Sequence, residues 1–186
     1  NLNEVECADI LKAYGFRLPA AKLCRTADEA VAFADSIGYP VVMKIASPDI
    51  LHKSDVGGVK VGLASAPVVR EAFDTMLATI REKMPQAEIW GVSLQQMIVT
   101  GKEVILGMSR DPQFGPLVMF GLGGIYVEVL KDVAFRVAPF TARTADDMVT
   151  SIRSYQLLAG ARGEKPVDMD ALQEALLRLS QLVTDF

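Results

Sequence analysis

Very little in this sequence lends itself to covalent cross-linking or metal capture. The 186 residues include two cysteines, one histidine and one tryptophan. Cys7 and Cys24 cannot build a disulfide framework and lack zinc-ligand spacing, so they read as small apolar residues. A single histidine excludes His-rich metal sites. Basic charge is also short, with 19 Lys and Arg against 23 Asp and Glu and a net charge of −4. That balance argues against nucleic acid as a partner, because a phosphate-backbone binder needs a basic surface. The apolar stretches around Pro40 to Ala46 and Leu117 to Gly124 fall far below the ~20 residues of a membrane span. Asn1-Leu2-Asn3-Glu4 lacks the basic start and apolar run of a signal peptide. Neither a Walker A loop nor a G-x-S-x-G nucleophile elbow occurs. The expectation is a soluble, cytoplasmic protein without a membrane partner. With 51 % hydrophobic residues, the chain can bury the core of one domain or two small lobes, which rules out a disordered tail. The missing initiator Met and the end at Thr184-Asp185-Phe186 suggest a piece of something larger.

Helix and strand signals alternate along the chain. Apolar spacing predicts a helix over Glu4 to Tyr14, capped by Gly15, followed by extended chain at Arg17-Leu18-Pro19. Thr26-Ala27-Asp28-Glu29 is a capping box that opens a helix ending at Gly38. Pro40 to Ala46 reads as a buried strand, Ser47 to Gly58 as a polar loop, and Val59 to Leu63 as a strand. Pro67 opens a helix with Val69, Phe73, Met76, Leu77 and Ile80 on one face, ending near Met84-Pro85. Strands are expected at Glu88 to Gln96, Glu103 to Ser109, Leu117 to Phe120 and Asp132 to Val137. Thr144 to Asp147 resembles a second capping box, opening a helix to about Ser151. Gly160 to Pro166 reads as an exposed loop before a last helix, Asp168 to Val183. The series is mixed α/β, of the α+β type, with antiparallel strand pairs; a doubly wound fold is disfavoured because no strict βαβαβ series occurs.

Three constellations can carry chemistry. In the first, Lys44 stands inside the apolar strand Val41-Val42-Met43-Lys44-Ile45. It must point to solvent on one strand face or meet a bound anion. The following loop ends in Gly57-Gly58, whose N–H groups can bond phosphate oxygens. An exposed lysine and a hairpin turn would explain the same residues. His52 lies in this loop; imidazole can accept a phosphoryl group, although a lone histidine is more often structural. Ser54 and Asp55 could orient it or only hold the turn. In the second, Gln95, Gln96, Met97 and Ile98 form a hinge that can offer backbone groups to an adenine edge and side chains to its face. Glu103 beyond it can accept from ribose hydroxyls, or be a surface residue of a strand connection. The third is Phe120-Gly121-Leu122-Gly123-Gly124, followed by Glu128, Lys131, Asp132 and Arg136. It opens no βαβ unit, so a dinucleotide fingerprint is disfavoured and a second anion-binding turn remains. Arg136 on a strand can pair with phosphate or a carboxylate.

Taken in order, Pro40-Val41-Val42-Met43-Lys44-Ile45, Ser47 through Val59, Phe120 through Gly124 and Val127 through Arg136 with Pro139 closely resemble the ATP-grasp domain of ADP-forming acyl-CoA synthetases, as in acetate-CoA ligase beta-type subunits. The resemblance covers almost the whole chain. It implies two mixed α/β lobes with ATP or ADP between them: a helical lead-in over 1–17, an N-lobe over 18–95 and a C-lobe over 96–186. It implies that Lys44 contacts the nucleotide phosphates, the loop through Gly57 and Gly58 covers them, Gln95 to Ile98 hold the adenine and Glu103 the ribose. His52 matches a histidine implicated in shuttling a phosphoryl group between nucleotide and a histidine of the CoA-ligase part, on the way to acyl-CoA, ADP and phosphate.

The same resemblance implies Mg²⁺, held by an acidic strand motif that would lie beyond Phe186, so the C-lobe is expected to be truncated before it. It also implies CoA-binding and CoA-ligase domains, or an alpha-type subunit, as partners. This chain alone is then expected not to turn over. A non-catalytic ATP-grasp module of an acyltransferase fusion is one alternative, which the retained His52 disfavours. Another ATP-grasp ligase, making an acyl phosphate for an amine, is a second, which the His52 loop disfavours.

Overall fold

The computed structural model describes residues 4–124, 127 and 129–186. Glu128 therefore lies outside the described residues. The chain divides into two compact units, one built on Arg17–Val99 and the other on Thr100–Phe186, with Ile10–Phe16 counted in the second. Helix α1 is Glu4–Ala13.

The first unit is an antiparallel four-stranded sheet in the order β1-β4-β2-β3, made of β1 (Ala21–Cys24), β2 (Val41–Ala46), β3 (Val59–Leu63) and β4 (Gly91–Gln96). Helices α2 (Ala27–Ile37) and α3 (Ala66–Lys83) bury one face of it. Val41, Met43, Ile45, Val92 and Leu94 meet Ala30 and Ala34 of α2 and Val69, Phe73, Met76 and Ile80 of α3 in one core. The predicted helical stripe on α3 is the stripe that is buried, with Leu77 at its edge. The box at Thr26 forms, with Thr26 Oγ1 accepting from Glu29 N at 3.2 Å. Glu29 Oε2 reaches one residue further back than expected, to Arg25 N at 2.7 Å.

The second unit is an antiparallel sheet in the order β5-β6-β7, made of β5 (Val104–Asp111), β6 (Gly115–Leu122) and β7 (Val133–Val137). One face carries Val118, Phe120, Leu122 and Ala134 against α4 (Ala142–Thr150) and α6 (Met169–Asp185). The β5–β6 turn is held by Asp111, whose Oδ1 accepts from Gln113 N and Phe114 N. Those two amides hold its carboxyl below the usual range.

Four sequence expectations change. Strand β1 and a short helix, α5 (Tyr155–Leu158), were not anticipated, since four residues carry too little periodicity to stand out. Strand β4 begins at Gly91 rather than Glu88. Helix α4 is capped by Thr141, whose hydroxyl accepts from Thr144 N, so the Thr144 motif lies inside the first turn. The stretch after Gly160 contains a 3₁₀ turn, Ala161–Gly163. Among the described residues no helix is long and apolar enough to cross a membrane.

Asp132 is buried at 8 % exposure, not part of a solvated face. Its Oδ1 accepts from Arg153 N at 2.8 Å and its Oδ2 from Ser154 N at 2.7 Å, fixing the chain that enters α5. Burial raises its pKa, but the Ser154 hydroxyl dipole, the two amides and the Arg153 charge together hold it below the ordinary carboxylate value. The Ser154 hydroxyl itself makes no hydrogen bond of good geometry.

Asp132→Ala leaves two partly buried N–H groups without an acceptor and should destabilise the protein by about 2 kcal/mol in urea unfolding. Because the native pKa is depressed, the carboxylate's contribution is full above its unfolded value of about 4 and fades as pH falls through the native one. The stability gap between wild type and Asp132→Asn should therefore shrink on acidification; a gap constant with pH would refute this role.

Candidate functional site

The first unit's sheet has a second face, opposite the one that α2 and α3 bury. Strand pairing fixes what stands on it. Lys44 pairs with Ser93 and Val42 with Gln95, so Lys44, Ser93 and Gln95 share that face while Val92 and Leu94 face the core. Lys44 is half-buried, and its Nζ donates to Gln95 Oε1 at 2.9 Å. This is a diagonal cross-strand pair between the two central strands. Ser93, 9 % exposed, was not singled out from the sequence, although the polar alternation Ser93, Gln95 within β4 carries the signal.

The Ser47–Gly58 loop is tied down beside Lys44. Ile45 N donates to Gly58 O at 2.8 Å, and Lys44 pairs with Val59. A Cβ at Gly58 would lie 2.5 Å from Ile45 Cγ2 and 2.9 Å from Lys53 O, so only glycine fits there. Gly57 has open space around it but needs φ +80, which glycine adopts without strain. The sequence is compatible with amides available to phosphate and with a hairpin turn. In the structure Gly57 N donates to Ser54 O at 3.1 Å and Gly58 N to Lys53 O at 2.7 Å. Successive turns between His52 and Gly58 use these donors to hold the loop's shape. Asp55 N donates to His52 O at 3.3 Å, so Asp55 holds the turn through its backbone. His52 is exposed on this loop, beside the fully solvated Leu51.

Beyond β4, Met97 N donates to Pro40 O at 3.3 Å and Ile98 is 66 % exposed, with Gln96 also at the surface. In this unit the structure thus joins Lys44 to Gln95 directly and ties Gly58 to the neighbouring Ile45. It carries His52 and Gly57 on the attached loop and continues β4 into Gln96, Met97 and Ile98.

In the second unit, Glu103 accepts from Gly123 N through its backbone carbonyl at 2.7 Å. A Cβ at Gly123 would come within 2.9 Å of Glu103 Cβ, so glycine there lets the exposed Glu103 lie close against the turn. Gly121 has a similar reason, since its Cβ would meet Asp132 O at 2.9 Å. Close backbone approach accounts for these two glycines without an anion. Arg136 is not brought to Glu103. It pairs with Val118 and so shares the helix-packed face, whereas Glu103 pairs with Gly123 on the opposite one. Arg136 Nη1 donates to Phe135 O at 2.8 Å. Among the described residues no group of three or more His, Cys, Asp or Glu side chains could hold a metal ion.

The sequence matches the ATP-grasp domain family over residues 1–186. It is 53 % identical over 184 residues to the acetate–CoA ligase [ADP-forming] I subunit beta of Pyrococcus furiosus, covering 99 % of this chain and 79 % of that one. It is 54 % identical over 186 residues to the 4-hydroxybutyrate–CoA ligase [ADP-forming] of Nitrosopumilus maritimus, covering all of this chain but 27 % of that longer protein. A solved structure of acetyl-coenzyme A synthetase 1 from Ca. Korarchaeum cryptofilum, in complex with coenzyme A and Ca-AMPCP, superposes with a TM-score of 0.95 at 44 % identity, covering 100 % of this chain and 81 % of that one. The mixed α/β units with antiparallel sheets are those of these neighbours, and the chain belongs to the ATP-grasp family, among the nucleotide-binding domains of ADP-forming acyl-CoA ligases.

Proposed function

We propose that this chain is the nucleotide-binding part of an ADP-forming acyl-CoA synthetase, acting with CoA-binding and CoA-ligase domains or an alpha-type subunit. The observation that carries the reading is the 2.9 Å bond between Lys44 and Gln95. It holds a cation on the open sheet face, next to the anchored His52 loop and at the end of β4 that leads to Met97 and Ile98. Lys44 binds the nucleotide phosphates by a charge-assisted contact. The Ser47–Gly58 loop covers them as a unit, its glycine amides being engaged internally. Gln95, Gln96, Met97 and Ile98 form the adenine side, and the Glu103 carboxylate accepts from ribose hydroxyls. Arg136, on the helix-packed face, is left outside this assignment.

His52 is the phosphoryl carrier on this chain. A neutral imidazole nitrogen supplies the electron pair that forms a P–N bond to the terminal phosphorus of ATP. The P–O bond to ADP breaks and ADP keeps that pair; the reverse step remakes ATP. Mg²⁺, which neutralises charge on a transferring phosphoryl group, would accompany the nucleotide. Acyl-CoA formation takes place on the partner.

Two measurements test this. Lys44→Ala should weaken ATP binding to this chain by about tenfold to a hundredfold in calorimetry, as expected for the loss of a charge-assisted contact; unchanged affinity would remove Lys44 from the site. In the enzyme assembled with its partner part, γ-labelled ATP should place acid-labile phosphate on this chain, and His52→Ala should abolish both that label and turnover. Normal turnover of His52→Ala would end the carrier role.

A further inference from the structure

A second feature of the first unit has no part in that reading. A cavity of about 610 Å³ opens at its β1 edge. Arg25, just after β1, and Arg81, in the last turn of α3, line it together with Trp90, Leu23, Leu77 and Ile89. No carboxylate is among its lining residues. The neighbouring acids have other partners than the two guanidiniums: Asp28 pairs with Arg70, while Glu29, at the cavity's rim, takes the backbone N–H of Arg25 and Glu88 Oε1 takes the Trp90 indole N–H at 2.8 Å. Among the described residues neither the Arg25 nor the Arg81 guanidinium has an ion-pair or hydrogen-bond partner.

Two uncompensated guanidiniums on an acidic chain, beside an oriented indole and three aliphatic side chains, form an amphipathic recognition surface. The guanidiniums are matched by the planar, paired oxygens of a carboxylate or phosphate. The indole and aliphatic groups are matched by an apolar or flat body. Leu23 pairs with Ser93, which pairs with Lys44, so β4 separates the cavity edge from Lys44 by two strand spacings, ~10 Å.

We propose that this cavity binds a small organic anion, a carboxylate or phosphate head on an apolar or aromatic body, as a site separate from the one at Lys44. Trp90 is the only tryptophan in the chain, so its indole N–H gives a single, assignable NMR resonance. Phenyl phosphate or benzoate, titrated into the full chain, should shift that resonance saturably. Arg25→Gln and Arg81→Gln should each weaken binding about tenfold, with the rest of the spectrum unchanged, and Arg→Lys should recover part of it. Lys44→Ala should leave the titration intact while lowering ATP affinity, so failure here and failure of the nucleotide reading are separate results. No saturable shift with either probe would overturn the proposal, as would an unchanged shift in the Arg25→Gln, Arg81→Gln double variant. An equal response to inorganic phosphate would overturn the role of the indole and the amphipathic class.

Discussion

A lysine on an interior strand is the constraint from which the first unit's layout follows. Strand β2 has neighbours on both sides, and its Val41, Met43 and Ile45 are buried against helices. The period of two then forces Lys44 to the other face. An ammonium cannot be left there desolvated and unmatched, since burying an uncompensated charge costs several kcal/mol. The structure answers with partial exposure and the Gln95 carbonyl. That partner is available only because β4 runs antiparallel beside β2 in the register that pairs Lys44 with Ser93. A slip of one residue would exchange Ser93 and Gln95 for Val92 and Leu94, costing both the core and the charge partner. On its other edge, β2 closes the His52 loop through its pairing with β3: Lys44 pairs with Val59, and Ile45, next to Lys44, donates to Gly58.

The second unit solves a different problem, that of bringing backbones close. Gly121 and Gly123 remove side chains where the chain after β6 must pass near Asp132 and Glu103. Asp132 then ties the start of β7 to the chain that enters α5 with two buried acceptor bonds. The glycines and the carboxylate thus work on the same corner. Gly121 permits close approach to the Asp132 carbonyl, while the Asp132 carboxylate supplies acceptors to the Arg153 and Ser154 amides. The function-like spacing of this glycine run is therefore explained largely by packing, with Glu103 placed by it.

What the sequence revealed follows from how local each signal is. The Thr26 box, the stripe from Val69 to Ile80 on α3 and the buried strand at Pro40 to Ala46 are short-range patterns, and they emerge as read. Thr141 and Thr144 are both good caps three residues apart, so the choice between them depends on where Pro139 and Phe140 deliver the chain. Strand β1 is stabilised by its pairing with β4 rather than by its own four residues, which explains its silence. At the site, Lys44 and Gln95 were both legible as residue types, but their contact spans 51 positions and depends on sheet order. The engagement of the Gly57 and Gly58 amides was hidden for a related reason. Two glycines before a strand fit a loop that offers its donors as well as one that uses them internally, and only the turn geometry separates the two.

The net charge of −4 argues against a polyanion partner, yet the proposed sites recognise anions. The two statements are compatible because they concern different length scales. A polyanion is held by many solvated cations acting over a surface, and an acidic chain lacks that field. A single phosphate or carboxylate is held by one or two cations with geometry, at distances well inside the ~8 Å over which physiological salt screens charge. Lys44 meets that condition by being half-buried with its Gln95 partner, and Arg25 and Arg81 would meet it in the proposed site by lining one cavity together. Acidity elsewhere sharpens this discrimination, since it repels extended anions from the surface while leaving these few cations able to select small ones.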